Sequence, residues 1–298
     1  MCGIVGLLMK KPELDDRLGE LLVPMLVGMT ERGPDSAGLA VFASSDAPAL
    51  KVSLFQLHGT PDWGAFLRNL NAALPGEHGL HESGRHAVLS TRADGAAVKR
   101  HIATHAPGVV VLSQGHRIAL YKDTGTPAEI AGRYDFPHLT GSHAVGHTRM
   151  ATESAVTPAH AHPFTAGEDF CLVHNGSLSN PCRVRRKLEP LGIHFETDND
   201  TEAACRFLEW RMREGDGIES AIEQGFTELD GFFTFLIGTR NGMSLVRDPF
   251  ACKPAIVAET DDYVAVASEF RSLAHLPGVS KAKLFEPQPR TIYHWERA

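Results

Sequence analysis

Apolar positions recur with two different periods along this chain. Cys2–Leu8 is an almost unbroken apolar run of one buried strand's length, and Leu14–Thr30 then carries Leu14, Leu18, Leu21, Leu22 and Met25 at helical spacing. Pro24 inside that stripe predicts a kink or a break. Gly38–Ala43 and Leu50–Leu57 read as strands. From about Thr60 the pattern gives a helix with Trp63, Phe66, Leu67 and Leu70 on one face, a short strand near His86–Thr91 and a basic-flanked helix around Ala96–Thr104. Val109–Ser113 and Arg117–Lys122 around Gln114-Gly115-His116 then predict a hairpin. In the last third, one helix runs from Thr201 to Arg213 and stops at Gly215, and a second from Ile218 to Leu229 puts Ile218, Ala221, Ile222, Phe226 and Leu229 on one stripe. Phe232–Gly238 and Met243–Arg247 flank Arg240-Asn241-Gly242, a strong hairpin signal, and Ala255–Glu259 and Tyr263–Ser268 flank Thr260-Asp261-Asp262. Hairpins interleaved with helix pairs predict antiparallel sheets covered by helices, an α+β layered fold.

Composition narrows the class without naming a reaction. With 298 residues, 43% hydrophobic and 22% charged, the chain has an ordinary globular balance and enough length to bury a substantial core. A net charge of −7 with no Lys/Arg block disfavours nucleic acid or an anionic membrane as partner. No apolar run approaches the ~18 residues of a transmembrane helix, and no basic-then-apolar leader opens the chain, so a cytoplasmic protein is expected. The five cysteines, Cys2, Cys171, Cys182, Cys205 and Cys252, are odd in number, widely spaced and without a CxxC pair; reduced thiols are expected, with neither disulfides nor a zinc or iron–sulfur site on this chain. Sixteen histidines are scattered, and the closest groupings, His101 with His105 and His160 with His162, lack a third ligand, so no metal is expected. No internal repeat or low-complexity tract divides the sequence, and the expectation is a single domain, 1–298, with an elaboration at about 44–142.

A few short segments hold residues for which a packed core has no use. Met1-Cys2-Gly3-Ile4-Val5-Gly6 puts a thiol where loss of the initiator methionine makes it N-terminal. Its own α-amine, titrating near ~7.7–8.0, can then act as base to the thiol; otherwise a cysteine on an early strand is a small buried hydrophobe. Arg32-Gly33-Pro34-Asp35-Ser36-Ala37-Gly38 is a polar turn after a helix, which a helix stop explains. Gly146-His147-Thr148-Arg149-Met150-Ala151-Thr152 places Arg149 at the end of a strand-like run, for a surface salt bridge or for a bidentate grip on a carboxylate that lysine cannot make. His174-Asn175-Gly176 reads as a turn, or as a carboxamide and a backbone N–H converging as oxyanion donors. Thr197-Asp198-Asn199-Asp200-Thr201-Glu202 stands before a helix; capping uses one such residue, and a row of acceptors suits an ammonium group.

Together and in this order, Cys2-Gly3-Ile4-Val5-Gly6, Arg32 to Gly38, His147 to Thr152, His174-Asn175-Gly176 and Asp200-Thr201-Glu202 resemble the class II glutamine amidotransferases, whose glutaminase domain is an N-terminal-nucleophile hydrolase. Arg247-Asp248-Pro249 and Ala267-Ser268-Glu269 are similar to later segments of that family, so the resemblance spans nearly the whole chain except about 44–142. It implies a four-layer αββα sandwich of antiparallel sheets. It also implies that Cys2 attacks the γ-carboxamide of L-glutamine, with Asn175 and the Gly176 N–H on the oxyanion. Arg149, helped by Thr152, takes the α-carboxylate, Asp200 the α-ammonium, and Arg32 orders the turn beside the nucleophile. Met150 and Glu153 depart from residues some relatives carry around this arginine, which bears on loop closure more than on glutamine recognition.

Family members usually carry a second domain that consumes the ammonia; here the glutaminase-like sequence runs almost from end to end without a phosphate-cradling glycine loop, so the acceptor site is expected on another chain. The overall pattern is most similar to the free-standing amidotransferase subunits of the glutamate-synthase-like group, including N-methylglutamate synthase. That resemblance implies no cofactor on this chain, and a synthase subunit with FMN and an iron–sulfur cluster as partner. The competing expectations are a stand-alone amide hydrolase of the same nucleophile class, which has no need of Arg149 and Asp200, and a non-catalytic glutamine sensor or regulatory subunit.

Overall fold

The computed structural model describes residues 2–151 and 155–297. In chain order the first part runs β1 (Gly3–Met9), α1 (Leu18–Val27), β2 (Ser36–Phe42), β3 (Leu50–Gln56), α2 (Trp63–Ala73), β4 (His78–Ser83), β5 (His86–Thr91), α3 (Gly95–His105), β6 (Val109–Gly115) and β7 (Ile118–Thr124). The middle holds α4 (Pro127–Arg133), β8 (His143–Arg149), β9 (Phe164–Thr165), β10 (Cys171–Leu178), α5 (Pro181–Leu188), α6 (Asp200–Arg213) and α7 (Ile218–Glu228). The chain closes with β11 (Gly231–Gly238), β12 (Gly242–Arg247), β13 (Ile256–Glu259), β14 (Tyr263–Ala267), β15 (Lys283–Phe285) and β16 (Ile292–Glu296).

Strand alternation sorts these elements into layers. In β1, Ile4 and Leu8 point into a core shared with Val173, Leu236 and Leu245, while Val5, Leu7 and Met9 point the other way onto Leu22, Met25 and Leu26 of α1. The first face joins a seven-stranded sheet, β15-β13-β14-β1-β8-β2-β7, to a five-stranded one, β16-β12-β11-β10-β9. Helices α1 and α4 cover the outside of the first sheet, and α5, α6 and α7 cover the second through Val184, Phe207, Ile222 and Phe235. The result is an α+β fold of two antiparallel sheets between helical layers. A separate four-stranded sheet, β4-β5-β3-β6, packs on α2 and α3 around Val52, Trp63, Leu89 and Ile102 and carries the added sequence before β7 returns to the main sheet.

Several local expectations are corrected. α1 is not broken at Pro24, and a short 3-10 turn over Pro12–Arg17 precedes it; burial of Leu21, Leu22, Met25 and Leu26 outweighs the lost donor. The hairpin expected around Gln114-Gly115-His116 does not form: β6 pairs with β3, and β7 pairs with β2. The Asp169 carboxylate takes the N–H groups of His116, Arg117 and Ile118 at 2.8–3.0 Å, so a side chain satisfies the backbone where the chain crosses between sheets. Asn175-Gly176 lies inside β10 and not in a turn. α4, outside the periodic pattern, starts on a capping box between Thr126 and Glu129. Among the described residues no helix is long and apolar enough to cross a membrane.

Candidate active site

The start of β1, the end of β8 and the second half of β10 meet at one edge of the sandwich. β8 lies between β1 and β2, with Thr148 opposite both Gly3 and Ala37, so the residues following β8 flank Cys2. The half-buried Cys2 thiol lies 4.0 Å from the Met150 carbonyl oxygen. Its own carbonyl oxygen accepts from Arg32 Nε at 2.9 Å and from Asn175 Nδ2 at 3.2 Å. The second N–H of that carboxamide remains as a further donor.

Arg32 is buried and also pairs with Glu269 at 2.7 Å, which pulls the Glu269 carboxyl below its usual range. The turn that carries Arg32 packs on the end of β8: a side chain at Gly33 would stand 2.4–2.6 Å from the Thr148 and Arg149 backbone. Asp35 ties the same turn to the strand, donating its N–H to the Arg149 carbonyl at 3.1 Å and accepting from Ala151 N–H at 2.8 Å. Arg149 is itself buried, and its Nη1 donates to the Ala155 carbonyl at 3.1 Å. Thr152, the residue expected to help it, lies outside the described residues.

β10 presents its backbone to the site because β9 pairs only with Cys171 and Leu172. The opposite partner of Gly176 is Phe233, whose N–H and C=O are taken by Asp248. Gly176 and Phe233 therefore form a non-hydrogen-bonded pair, and the Gly176 N–H turns to the open edge. The neighbours on that edge obey the same alternation. The His174 carbonyl accepts from His147 Nε2 at 3.0 Å, and the Leu178 N–H donates to Asp200 Oδ2 at 2.8 Å.

Asp200 begins α6, whose cap is Asn199, accepting from Thr201 N–H at 2.9 Å. Glu202 holds the approach: its buried carboxylate accepts from Glu196 N–H, Thr197 N–H and the Thr197 hydroxyl at 2.7–2.8 Å and pairs with Arg206 at 3.2 Å. Asp198 contacts His160 at 2.8 Å, whereas Asp200 accepts from the Leu178 N–H at 2.8 Å and the Thr201 hydroxyl at 3.3 Å. Beneath it lie His147, His162 and His174, all buried; burial pushes His147 down to about 3, His162 well below its ordinary value and His174 also down, against the pull of Asp200. Lys122 secures the neighbouring loop by donating to the Ala161 carbonyl at 2.8 Å, and burial lowers it to about 8. Behind the Asp200 turn, a cavity of about 590 Å³ lies against Lys99, Gln114, Glu202 and Arg206 and does not include Cys2.

The structure thus brings Cys2, Arg32, Arg149, Asn175, Gly176 and Asp200 to one edge of the fold. Sequence reasoning missed Asp35, Glu269 and Thr201 as supporting groups. All three sat in segments already singled out, but pairings such as that of Arg32 with Glu269, across 237 positions, leave no periodic signal.

A family model described as a glutamine amidotransferase domain matches residues 147–275. The glutamine amidotransferase-like protein GlxB of Rhizobium meliloti is 46% identical over 298 residues, covering 99% of this chain and 98% of that protein. A putative glutamine amidotransferase of Methanothermobacter thermautotrophicus is 32% identical, covering 98% and 99%. Among solved structures, the glutamine phosphoribosylpyrophosphate amidotransferase of B. subtilis superposes with a TM-score of 0.64 at 19% identity, over 99% of this chain and 47% of that one.

Proposed function

The chain belongs to the class II glutamine amidotransferase family, and we propose from this that it hydrolyses L-glutamine to glutamate and ammonia through a γ-glutamyl thioester on Cys2. Loss of Met1 frees the Cys2 α-amine, which takes the thiol proton. The sulfur then adds to the γ-carbonyl carbon. The developing oxyanion is met by the Gly176 N–H and the Asn175 carboxamide; the C–N bond breaks, and ammonia leaves with the proton the amine returns. Water adds to the thioester, releasing glutamate and restoring the thiol. Arg149 holds the α-carboxylate and Asp200 the α-ammonium, while Arg32, fixed by Glu269, orders the Cys2 carbonyl.

The observation that carries this reading is the open edge of β10, where Asn175 reaches Cys2 and the Gly176 N–H stands next to the peptide that holds Asp200. The ammonia acceptor, in this reading, is a synthase subunit on another chain, glutamate-synthase-like and of the N-methylglutamate synthase type, with FMN and an iron–sulfur cluster on that partner. The test is peptide mass spectrometry before and after exposure to a diazo-ketone analogue of glutamine, together with glutamine binding to Cys2→Ala. Loss of Met1, a single adduct on Cys2, and retained glutamine binding without ammonia release in the variant support the mechanism. No adduct, or turnover by Cys2→Ala, overturns it.

A further inference from the structure

We infer that Thr201 is a positioning residue for glutamine's α-ammonium: its hydroxyl, fixed by two neutral histidines, donates its one proton to Asp200 and so sets the carboxylate that faces the substrate. This rests on the reading of Asp200 given above. The hydroxyl is buried and meets His162 Nε2 at 2.9 Å, His174 Nδ1 at 3.0 Å and Asp200 Oδ1 at 3.3 Å.

Proton counting decides the direction of all three contacts. A hydroxyl has one proton and two lone pairs, and a carboxylate can only accept. The Thr201 proton therefore goes to Asp200, and both imidazoles must donate to Thr201. That requires the Nε2–H tautomer of His162 and the Nδ1–H tautomer of His174, leaving His162 Nδ1 and His174 Nε2 as bare acceptors. Those two atoms are buried and without a hydrogen-bond partner among the described residues. The opposite assignment would bury an unpaired N–H donor at His162 Nδ1, whereas His174 Nε2 lies beside the Phe232 carbonyl.

His147 completes the arrangement, stacking on His162 at 4.1 Å between ring centroids and reaching the His174 carbonyl through Nε2. Asp200 is then held at both oxygens, by Leu178 N–H on Oδ2 and by Thr201 on Oδ1. A carboxylate fixed at both ends has its remaining lone pairs aimed before substrate arrives, whereas a free aspartate must be ordered on binding.

The experiment is calorimetric binding on a Cys2→Ala background with two ligands, L-glutamine and 5-amino-5-oxopentanoate, which lacks the α-amino group. Thr201→Val, Thr201→Ser and Asp200→Asn are compared, with thermal melts to establish folding; if Thr201→Val does not fold, Thr201→Ala is read in its place. Removing the hydroxyl is expected to cut the preference for glutamine over the deaminated ligand about tenfold, leaving affinity for the deaminated ligand unchanged, and Thr201→Ser is expected to restore it. A preference unchanged without the hydroxyl overturns the inference, as does an equal loss for both ligands, which marks general damage to the site. If Asp200→Asn keeps the full preference, the assignment of Asp200 itself fails; if it loses the preference while the hydroxyl-free variant keeps it, only the role of Thr201 fails.

Discussion

Replacing Gly176 with alanine acts directly on the proposed oxyanion donor. A Cβ there stands 2.1 Å from the Phe232 carbonyl oxygen, 2.6 Å from His174 Nε2 and 2.8 Å from Phe233 Cα. Two of these are backbone atoms of β11, so no rotamer change relieves them, and the shortest is more than roughly 1 Å inside ordinary contact. β10 has to part from β11 at the one residue whose N–H is needed. Overpacking of this kind costs about 1–3 kcal/mol of stability. Displacing an oxyanion donor costs ~10²–10³ in kcat, or about 2.7–4 kcal/mol of barrier. Steady-state glutamate release from glutamine measures the second effect, and calorimetric titration measures ground-state binding. The expected result is kcat down by about 100-fold or more with glutamine affinity within about threefold of the parent protein. Gly79→Ala is the control, since nothing lies within 4 Å of a Cβ at that position. A folded Gly176→Ala protein with kcat within about threefold of the parent refutes the placement of the oxyanion at this peptide.

Glu202→Gln removes the charge that gathers two backbone N–H groups, the Thr197 hydroxyl and Arg206. Denaturant unfolding is expected to show a loss of about 2–3 kcal/mol, and an unchanged midpoint would count against the clamp. Burial holds His86 and His143 down to about 4 and His147 to about 3, below the ~6.5 of an unfolded histidine. In that interval the unfolded chain binds protons the folded chain refuses. Stability is therefore full above about pH 6.5 and falls toward pH 4, each histidine removing up to ~1.4 kcal/mol per pH unit, and an unfolding free energy flat between about pH 7 and 5 rejects this.

Much of the fold was legible because its elements are locally consistent. The β11–β12 and β13–β14 hairpins follow from Asn241-Gly242 and Asp261-Asp262 between β-prone runs, and α6 and α7 from their stripes. The failures share a cause. At Gln114–Arg117 a distant carboxylate, Asp169, replaced the cross-strand partner, and at Asn175-Gly176 a strong turn dipeptide was held in strand by pairing with Thr234 and Phe233. Neither override is visible within a short window of sequence. The site divides the same way: Cys2, Arg149, Asn175, Gly176 and Asp200 stood out as polar groups beside apolar runs, whereas the contact of His162 with Thr201, itself inside a segment that stood out, appears only when residues 39 positions apart are brought together.

The open edge of β10 also gauges the substrate. Alternate residues of a strand turn their peptides to the same side, and two residues span about 6.6–6.8 Å. The Gly176 N–H and the Leu178 N–H are thus about one such repeat apart, and the second is hydrogen-bonded to Asp200 at 2.8 Å. In the proposed mechanism the first receives the oxygen of the side-chain amide and the second fixes the partner of the α-ammonium. Both ends of the substrate are then referred to one rigid strand, which cannot shorten to suit a smaller molecule. Asparagine, one methylene shorter, can satisfy either end but not both. A misfit of one methylene is worth about 1–3 kcal/mol, so kcat/KM for glutamine is expected to exceed that for asparagine by ~10–200-fold. Comparable values for the two amides would mean that these peptides do not set the substrate's length, and that the ammonium is held from some element other than the β10–Asp200 contact.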